Sequence, residues 1–216
     1  MALDSYSALQ SAILLWLARP GDPLLQPSVP DMIRLFEAEA QRRLRVIGAE
    51  RTEHLFGSGS MLDLPSDFQE LRNAVLSDGT QLTAISPGNV PPFLTAGQPK
   101  YFWIVGSDGV ACSSSDGGIA MQLTPQASDT CEVVITYQRG LPSLSDDNPT
   151  NWLLTEHPDC YLFGSLVEAE AFIGADERAL AWGQRRELAF ASIEQADRKK
   201  RWPGAPLQMS TGMFTP

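Results

Sequence analysis

The chain has few of the residues from which catalytic and metal sites are usually built. Its 216 residues include only two histidines, His54 and His157. It contains no G-x-S-x-G elbow, no G-x-x-x-x-G-K-[ST] loop and no G-x-G-x-x-G after a predicted strand. His157 directly precedes Pro158, and this pair favours a helix start over a metal ligand. We therefore expect no catalytic residue, no metal site and no cofactor.

Long apolar runs and paired cysteines are also missing. No stretch approaches the ~20 apolar residues of a membrane span, so no membrane partner is expected. Asp4 lies where a secretory signal would carry basic residues, and the apolar run 12–18 is short, so no signal is expected. Cys112, Cys131 and Cys160 are odd in number and lack a C-x-x-C spacing. We expect reduced thiols and synthesis in a reducing cytoplasm.

Positive charge is in short supply. Lysine and arginine number 16 against 26 acidic residues, which gives a formal net charge of −10. Duplex DNA carries about one negative charge per ~1.7 Å, so an acidic surface repels it. The composition argues against tight nucleic-acid binding, although it suits a wall past which DNA must slide.

Two helices are predicted in the first 49 residues. The first is capped by Asp4 or Ser5, and its apolar residues recur at helical spacing until the segment 19–23 stops it. Pro30 suits the first turn of the second helix, whose apolar stripe is expected to continue to Ile47 before Gly48.

Short apolar or alternating runs broken by turn residues predict strands from Glu50 onwards. Dipeptides such as Asp78-Gly79 are hairpin signals because the turn needs a positive φ. The predicted strands are Glu53–Phe56, Ser60–Leu64, Glu70–Leu76, Gln81–Ile85, Tyr101–Val105, Gly118–Leu123 and Cys131–Gln138. We interpret residues 50–152 as an inserted, small antiparallel β-sandwich or barrel that ends in a polar connecting loop.

Two further helices follow this loop. Pro158 opens the third helix and Gly174 ends it, while the fourth runs from a capping Asp176 to Arg201. Acidic residues at the start of the fourth helix and basic residues at its end complement the helix dipole. The predicted fold is α+β: residues 1–49 and 153–202 form a four-helix bundle, two helices before the β insert and two after it, and residues 203–216 form an extended C-terminal arm.

Two basic clusters and the arm are the candidate interaction residues. The first cluster stands near the end of the second helix, where it is either a solvated helix end or a source of ion pairs with a neighbouring subunit. The second ends the fourth helix, and the arm adds apolar anchors between prolines and glycines. The candidates are Arg42, Arg43, Arg45, Arg198, Lys199, Lys200, Arg201, Trp202, Leu207, Met209, Met213 and Phe214.

Several motifs in this order resemble the head-to-tail adaptor proteins of short-tailed bacteriophages, the tail-tubular-protein-A-like group. They are the segment Leu62–Arg72 with its Leu-Pro-Ser-Asp-Phe core, the segment Gly97–Phe102, the loop Leu144–Leu154 and the helix Tyr161–Ala171. The chain departs from the resemblance at Pro91-Pro92, where relatives tend toward a short helix.

The resemblance implies a structural virion protein of the neck and not an enzyme. It implies a ring, expected to be dodecameric, beneath the portal protein. Such a ring extends the DNA channel without binding DNA specifically and anchors the tail nozzle or tube. We expect the arm to order along a neighbouring protein, the portal first of all. The alternatives are a nozzle subunit or tail-completion factor, and a carbohydrate-binding module resting on Tyr101, Phe102 and Trp103.

Overall fold

Helices occupy both ends of the chain and strands occupy its middle. The computed structural model describes residues 3–90, 96–106 and 118–202, and the fold is mixed α+β as predicted. By its internal contacts the chain divides into two units, one comprising Met1–Ile47 with Ser143–Pro216 and the other comprising Gly48–Pro142. We refer to them as the helical unit and the β unit.

The helical unit contains five α-helices within the described residues. They are α1 (Tyr6–Trp16), α2 (Val29–Arg43), α3 (Trp152–Glu156), α4 (Pro158–Ile173) and α5 (Asp176–Arg201). Single turns of 3-10 helix span Gln26–Ser28, Ile47–Ala49 and Pro87–Asn89. The four helices predicted from periodicity are all present, but α3 was not predicted, so the structure does not confirm a four-helix bundle.

The helix ends follow from local hydrogen bonds. The hydroxyl of Ser5, one of the two predicted caps, accepts from the amide of Ala8 at 3.4 Å. Gly174 ends α4 with a φ of +79°, a left-handed conformation that glycine adopts without a steric cost. The N-cap of α5 is Ala175 and not Asp176, which is the first helical residue.

The prediction that the second helix runs to Ile47 is wrong. The α2 helix ends at Arg43, because Leu44 has an extended backbone with a ψ of 120°. The guanidinium of Arg45 donates to the carbonyls of Gln41 at 2.7 Å and Leu44 at 3.1 Å, so it satisfies acceptors that a longer helix would have used. The segment therefore leaves the helix while Leu44 and Val46 remain buried.

The short helix α3 lies between the predicted polar loop, which ended at residue 152, and the predicted third helix. The side chain of Asn151 caps it by accepting from the amide of Leu154 at 2.9 Å. Leu153 and Leu154 are fully buried. Five residues are too few to show a helical period, which is why the sequence pattern did not reveal this helix.

The central helix of the unit is α4, which contacts α1, α2, α3 and α5. Gly164 lies directly against the ring of Phe36 in α2, so a glycine is required there to let the two helices approach. The Phe36 ring also packs against Tyr161, at a centroid distance of 5.2 Å, and against Phe190 of α5 at 6.1 Å. Three helices thus meet at one aromatic cluster.

The β unit contains one five-stranded sheet within the described residues. Its strands are β1 (Glu50–Asp63), β2 (Phe68–Leu76), β3 (Thr83–Ala84), β4 (Tyr101–Gly106) and β5 (Ile119–Arg139). The long β5 strand pairs antiparallel with β1 along one edge, and with β2 and β4 along the other. The short β3 strand pairs parallel with β4.

Two predicted turns are interruptions within continuous strands. The segment Gly57-Ser58-Gly59 lies inside β1, and Ala127-Ser128-Asp129 lies inside β5. They face each other across the ladder, where the register shifts between Gly57 and Gly59. Gly59 has a φ of +95°, which explains why the sequence signalled a turn. Two pairs of predicted strands therefore merge, and seven become five.

Both halves of the long strands contribute to a single core. Leu55 and Leu62 come from the two halves of β1, while Leu123 and Ile135 come from the two halves of β5. A two-sheet sandwich is not confirmed for the residues that the structure describes, because their strands belong to one sheet. The predicted Asp78-Gly79 turn is confirmed: Gly79 has a φ of +86°, and the Asp78 carboxylate accepts from the Thr80 amide at 2.8 Å.

The contact between Gly164 and Phe36 predicts opposite effects for two glycine substitutions. Gly164→Ala should lower the free energy of unfolding by about 1–3 kcal/mol, because the new methyl group forces Phe36 out of place. Gly183→Ala in α5, where nothing lies within 4 Å of the added methyl, should raise it by about 0.5–1 kcal/mol. Urea titrations followed by tryptophan fluorescence measure both. Equal effects at the two positions would contradict the close approach.

Candidate functional site

In the first predicted basic cluster, which comprises Arg42, Arg43 and Arg45, part of the positive charge is paired within the helical unit. Arg43 lies 2.6 Å from the Glu187 carboxylate and 3.2 Å from that of Glu194, and its guanidinium lies 4.3 Å from the Phe190 ring centroid. Partial burial opposes the charge, but the hydrogen bonds that Arg43 donates to both carboxylates raise the pKa of Arg43 above its ordinary value. The pKa of Glu187 is lowered, first of all by its hydrogen bond from Arg43. Arg43 thus ties α2 to α5.

The second basic cluster, at the end of α5, contributes Arg201 to contacts with the segment that follows α2. Arg201 pairs with Asp197 at 2.7 Å and donates to the backbone carbonyl of Arg45 at 3.2 Å. The other oxygen of Asp197 accepts from the amide of Ile47 at 2.7 Å. The end of α5 therefore holds the segment that follows α2, and the structure brings Arg43, Arg45 and Arg201 together in intramolecular contacts.

The remaining cationic candidates face solvent. Arg42, Arg198 and Lys199 are exposed, and Lys200 makes only a long contact of 3.9 Å with exposed Glu156. Trp202 is 63% exposed directly after α5. The expected ion pairs with a neighbouring molecule stay a prediction for these exposed residues. Leu207, Met209, Met213 and Phe214 lie outside the described residues.

An aromatic cluster fixes the other end of α5. Trp182 stacks on Phe163 at 5.9 Å and meets Trp16 edge-on at 5.6 Å, so it joins α5 to α4 and α1. The Arg185 guanidinium lies 5.3 Å from the Trp182 ring. Buried Glu170 accepts from Arg178 at 2.9 Å. These contacts hold the start of α5 against α4.

The outward face of α5 carries an open apolar groove. Its volume is about 1140 Å³, and its apolar lining consists of Val167, Ala179, Leu180, Gly183, Leu188 and Ala191. Leu180 and Leu188 are each 72% exposed. The adjoining face of the same helix is buried through Phe190 and Ile193. The recurrence of leucine at eight-residue spacing was the signal that could have revealed the groove.

A buried carboxylate fastens the segment that leads into α3. One oxygen of Glu37 accepts from the Leu144 amide at 2.8 Å and from the Tyr161 hydroxyl at 3.0 Å. Tyr161 in turn accepts from Asn151, the cap of α3, at 2.6 Å. Burial raises the pKa of Glu37 above its ordinary value, although the hydrogen bond from Leu144 opposes the change. This network orders the chain beside α2 and α4.

The described residues include few groups from which a catalytic or metal site could be built. No group of three or more histidine, cysteine or acidic residues among them could hold a metal ion. No helix in this part of the chain is long and apolar enough to cross a membrane. Burial raises the pKa of the Cys160 thiol to about 12. Phe102, proposed from the sequence as a surface aromatic for carbohydrate binding, is instead part of the β core, and that interpretation of it is wrong.

Comparison with known proteins identifies the class of molecule. Residues 4–210 match the family model of the SU10 adaptor protein. The chain belongs to this family, and it is a phage adaptor protein and a component of the virion. A search of curated proteins found no match. The resemblance stated from the sequence is thereby confirmed at the level of the family.

The raised pKa of Glu37 predicts a pH-dependent effect of Glu37→Gln. The folded protein binds this proton more readily than the unfolded chain, so the stabilisation is complete below the unfolded pKa. It is lost as pH rises through the folded pKa. Glutamine keeps an acceptor oxygen but does not titrate. The free energy of unfolding of Glu37→Gln minus that of the natural chain should therefore be larger at about pH 8 than at about pH 4.

Urea titrations at the two pH values measure this difference. The matched control is Asp147→Asn in the exposed loop, which removes a carboxylate that no described neighbour buries. Its effect on the free energy of unfolding should change little between the two pH values. A difference for Glu37→Gln that is independent of pH would contradict the prediction.

Proposed function

We propose that this protein is the head-to-tail adaptor of a short-tailed phage virion. In this role, copies of the chain form a ring beneath the portal protein, the ring extends the DNA channel, and its far side anchors the tail nozzle or tube. The observation that carries the proposal is the match of residues 4–210 to an adaptor family. The motifs between Leu62 and Ala171 that resemble the tail-tubular-protein-A-like group supply the finer assignment.

The surface of the helical unit supports a role in assembly. Exposed cations at the end of α5, with Trp202 beside them, form a compact positive patch on a chain of net charge −10. Such a patch suits carboxylates of a protein partner, where complementary charge raises the association rate and fixes orientation. We assign this patch, with the arm 203–216, to contacts with the portal or with a neighbouring subunit.

The charge balance supports a channel through which DNA passes freely. With −10 per copy, a ring of this chain would surround DNA with a predominantly negative potential. Among the described residues, seven arginines are paired with acidic residues of the same chain: Arg19, Arg43, Arg51, Arg72, Arg178, Arg186 and Arg201. These pairs make the cations less available to phosphates, so the duplex would meet fewer adhesive contacts.

We expect the free protein to be a monomer that forms rings only on the portal. Each subunit has its own cores, and like-charged copies repel one another until a template positions them. Light scattering coupled to size-exclusion chromatography of the protein alone should give the mass of one chain. Addition of purified portal rings should produce a complex with a fixed number of copies, expected to be twelve. A stable ring without portal would contradict this expectation.

The exposed patch at the end of α5 predicts a rate effect on portal binding. Lys199→Glu should lower the association rate about tenfold at physiological salt, and the loss should shrink at high salt because screening weakens it. Lys100→Glu, the same charge change at an exposed position of the β unit, serves as the control. Surface plasmon resonance on immobilised portal measures both variants. Equal rates for the two variants would argue against portal contact through this patch.

A further inference from the structure

The groove on α5 has the chemistry of a protein-docking surface. Its lining includes the small residues Ala179, Gly183 and Ala191 and two highly exposed leucines, Leu180 and Leu188. Exposure of both leucines on one face is costly in water, and covering them would be favourable. Phe190 and Ile193 bury the adjoining face of α5, whereas Leu180 and Leu188 are not part of the core of the subunit.

The charges around the groove are already compensated. Arg186 lies 2.8 Å from Glu39 and 3.4 Å from Glu187, while Arg43 bridges Glu187 and Glu194. A charged segment entering the groove would have to compete with these intramolecular pairs. The favoured occupant is therefore an apolar segment without charged side chains.

The chain itself contains such a segment directly after α5. Residues 203–216 include no aspartate, glutamate, lysine or arginine, and they carry four large apolar side chains. From Leu207 to Phe214 an extended chain spans about 23–25 Å. The groove residues from Ala179 to Ala191 span about 18 Å of helix. The shorter stretch from Met209 to Phe214 spans about 17–18 Å when extended and matches the groove, so three of the four apolar side chains can lie along it.

We propose that residues 207–214 of one subunit dock in the α5 groove of the next subunit of the ring. The inference rests on the proposed ring. A closed ring requires a contact in which every copy offers one surface and receives a different one, and the arm and the groove are two such surfaces. The uncharged arm also joins copies of net charge −10 without bringing further acidic groups together.

Docking on the next copy joins the subunits of a ring, whereas docking on the same chain joins nothing. Pro203-Gly204 is a turn-forming pair, so the local sequence is compatible with either direction of the arm. An isotope label on one of the two copies therefore has to distinguish the neighbour from the same chain.

Photocrosslinking in assembled rings tests this contact. Leu188 is replaced by photoreactive benzoylphenylalanine in the full-length chain, mixed with an equal amount of ¹⁵N-labelled natural chain, and assembled on portal rings. After illumination, mass spectrometry should find the probe joined to residues 207–214 of a labelled copy. The control places the probe at Leu24, an exposed leucine of the same unit that does not line the groove, and should not capture this segment.

The outcomes separate the inference from the proposed function. Crosslinks from position 188 to the portal, to the same copy, or to other parts of a neighbour would overturn arm docking while the ring assignment stands. Failure of the natural chain to form rings on the portal would overturn both. Crosslinks to residues 207–214 of a labelled copy would support both.

A double-mutant cycle provides a second, functional measurement. Leu188→Asp and Met213→Asp should each raise the protein concentration needed for half-occupancy of portal rings about tenfold or more. Their combination should be no worse than either alone, because both remove the same contact. Leu24→Asp is the matched control and should leave occupancy unchanged. Fully additive effects of the two variants would overturn the contact.

Discussion

The packing of Phe36 is the constraint on which the helical unit depends. Its ring lies against Gly164 and between the rings of Tyr161 and Phe190, so one side chain joins α2, α4 and α5. The next residue, Glu37, accepts hydrogen bonds from Tyr161 and from the amide of Leu144. A single turn of α2 therefore organises the apolar centre and orders the polar segment that leads into α3. With α5 held from inside, its outer face is free for other contacts.

Most helices could be predicted from the sequence because their apolar residues recur over three or more turns. The limits of α4 follow from Pro158 and Gly174, as predicted. The features that the sequence did not predict depend on interactions between residues that are far apart along the chain. The guanidinium of Arg45 and the carboxylate of Asp197 fix the chain beyond α2, and no periodic pattern reports such contacts. In the β unit, glycine at 57 and 59 signalled a turn, whereas the strand continues through an irregularity.

The candidate site was only partly predictable for the same reason. The basic clusters could be located from sequence, but the partners of Arg43 are 144 and 151 positions away along the chain. Only the folded structure distinguishes Arg43, which is used internally, from Arg42 and Lys199, which are exposed. The groove was not located from sequence, because the helical pattern alone does not say which apolar positions of α5 the neighbouring helices cover. The 72% exposure of Leu180 and Leu188 is visible only in the folded structure.

The distribution of charge explains how an acidic subunit can serve in assembly. Copies that each carry −10 repel one another over about 8 Å at physiological ionic strength. Five arginines of the helical unit already form ion pairs with acidic residues of the same unit, so ion pairs are a poor means of attracting another acidic copy. Apolar burial acts at short range and is insensitive to that repulsion once copies are held together. The subunit therefore carries two kinds of contact surface. One is the cationic end of α5, and the other consists of the groove, whose charges are paired, and the arm, which has no charged side chains. The cations favour encounter with an acidic partner, and the apolar surfaces stabilise the contact between like-charged neighbours.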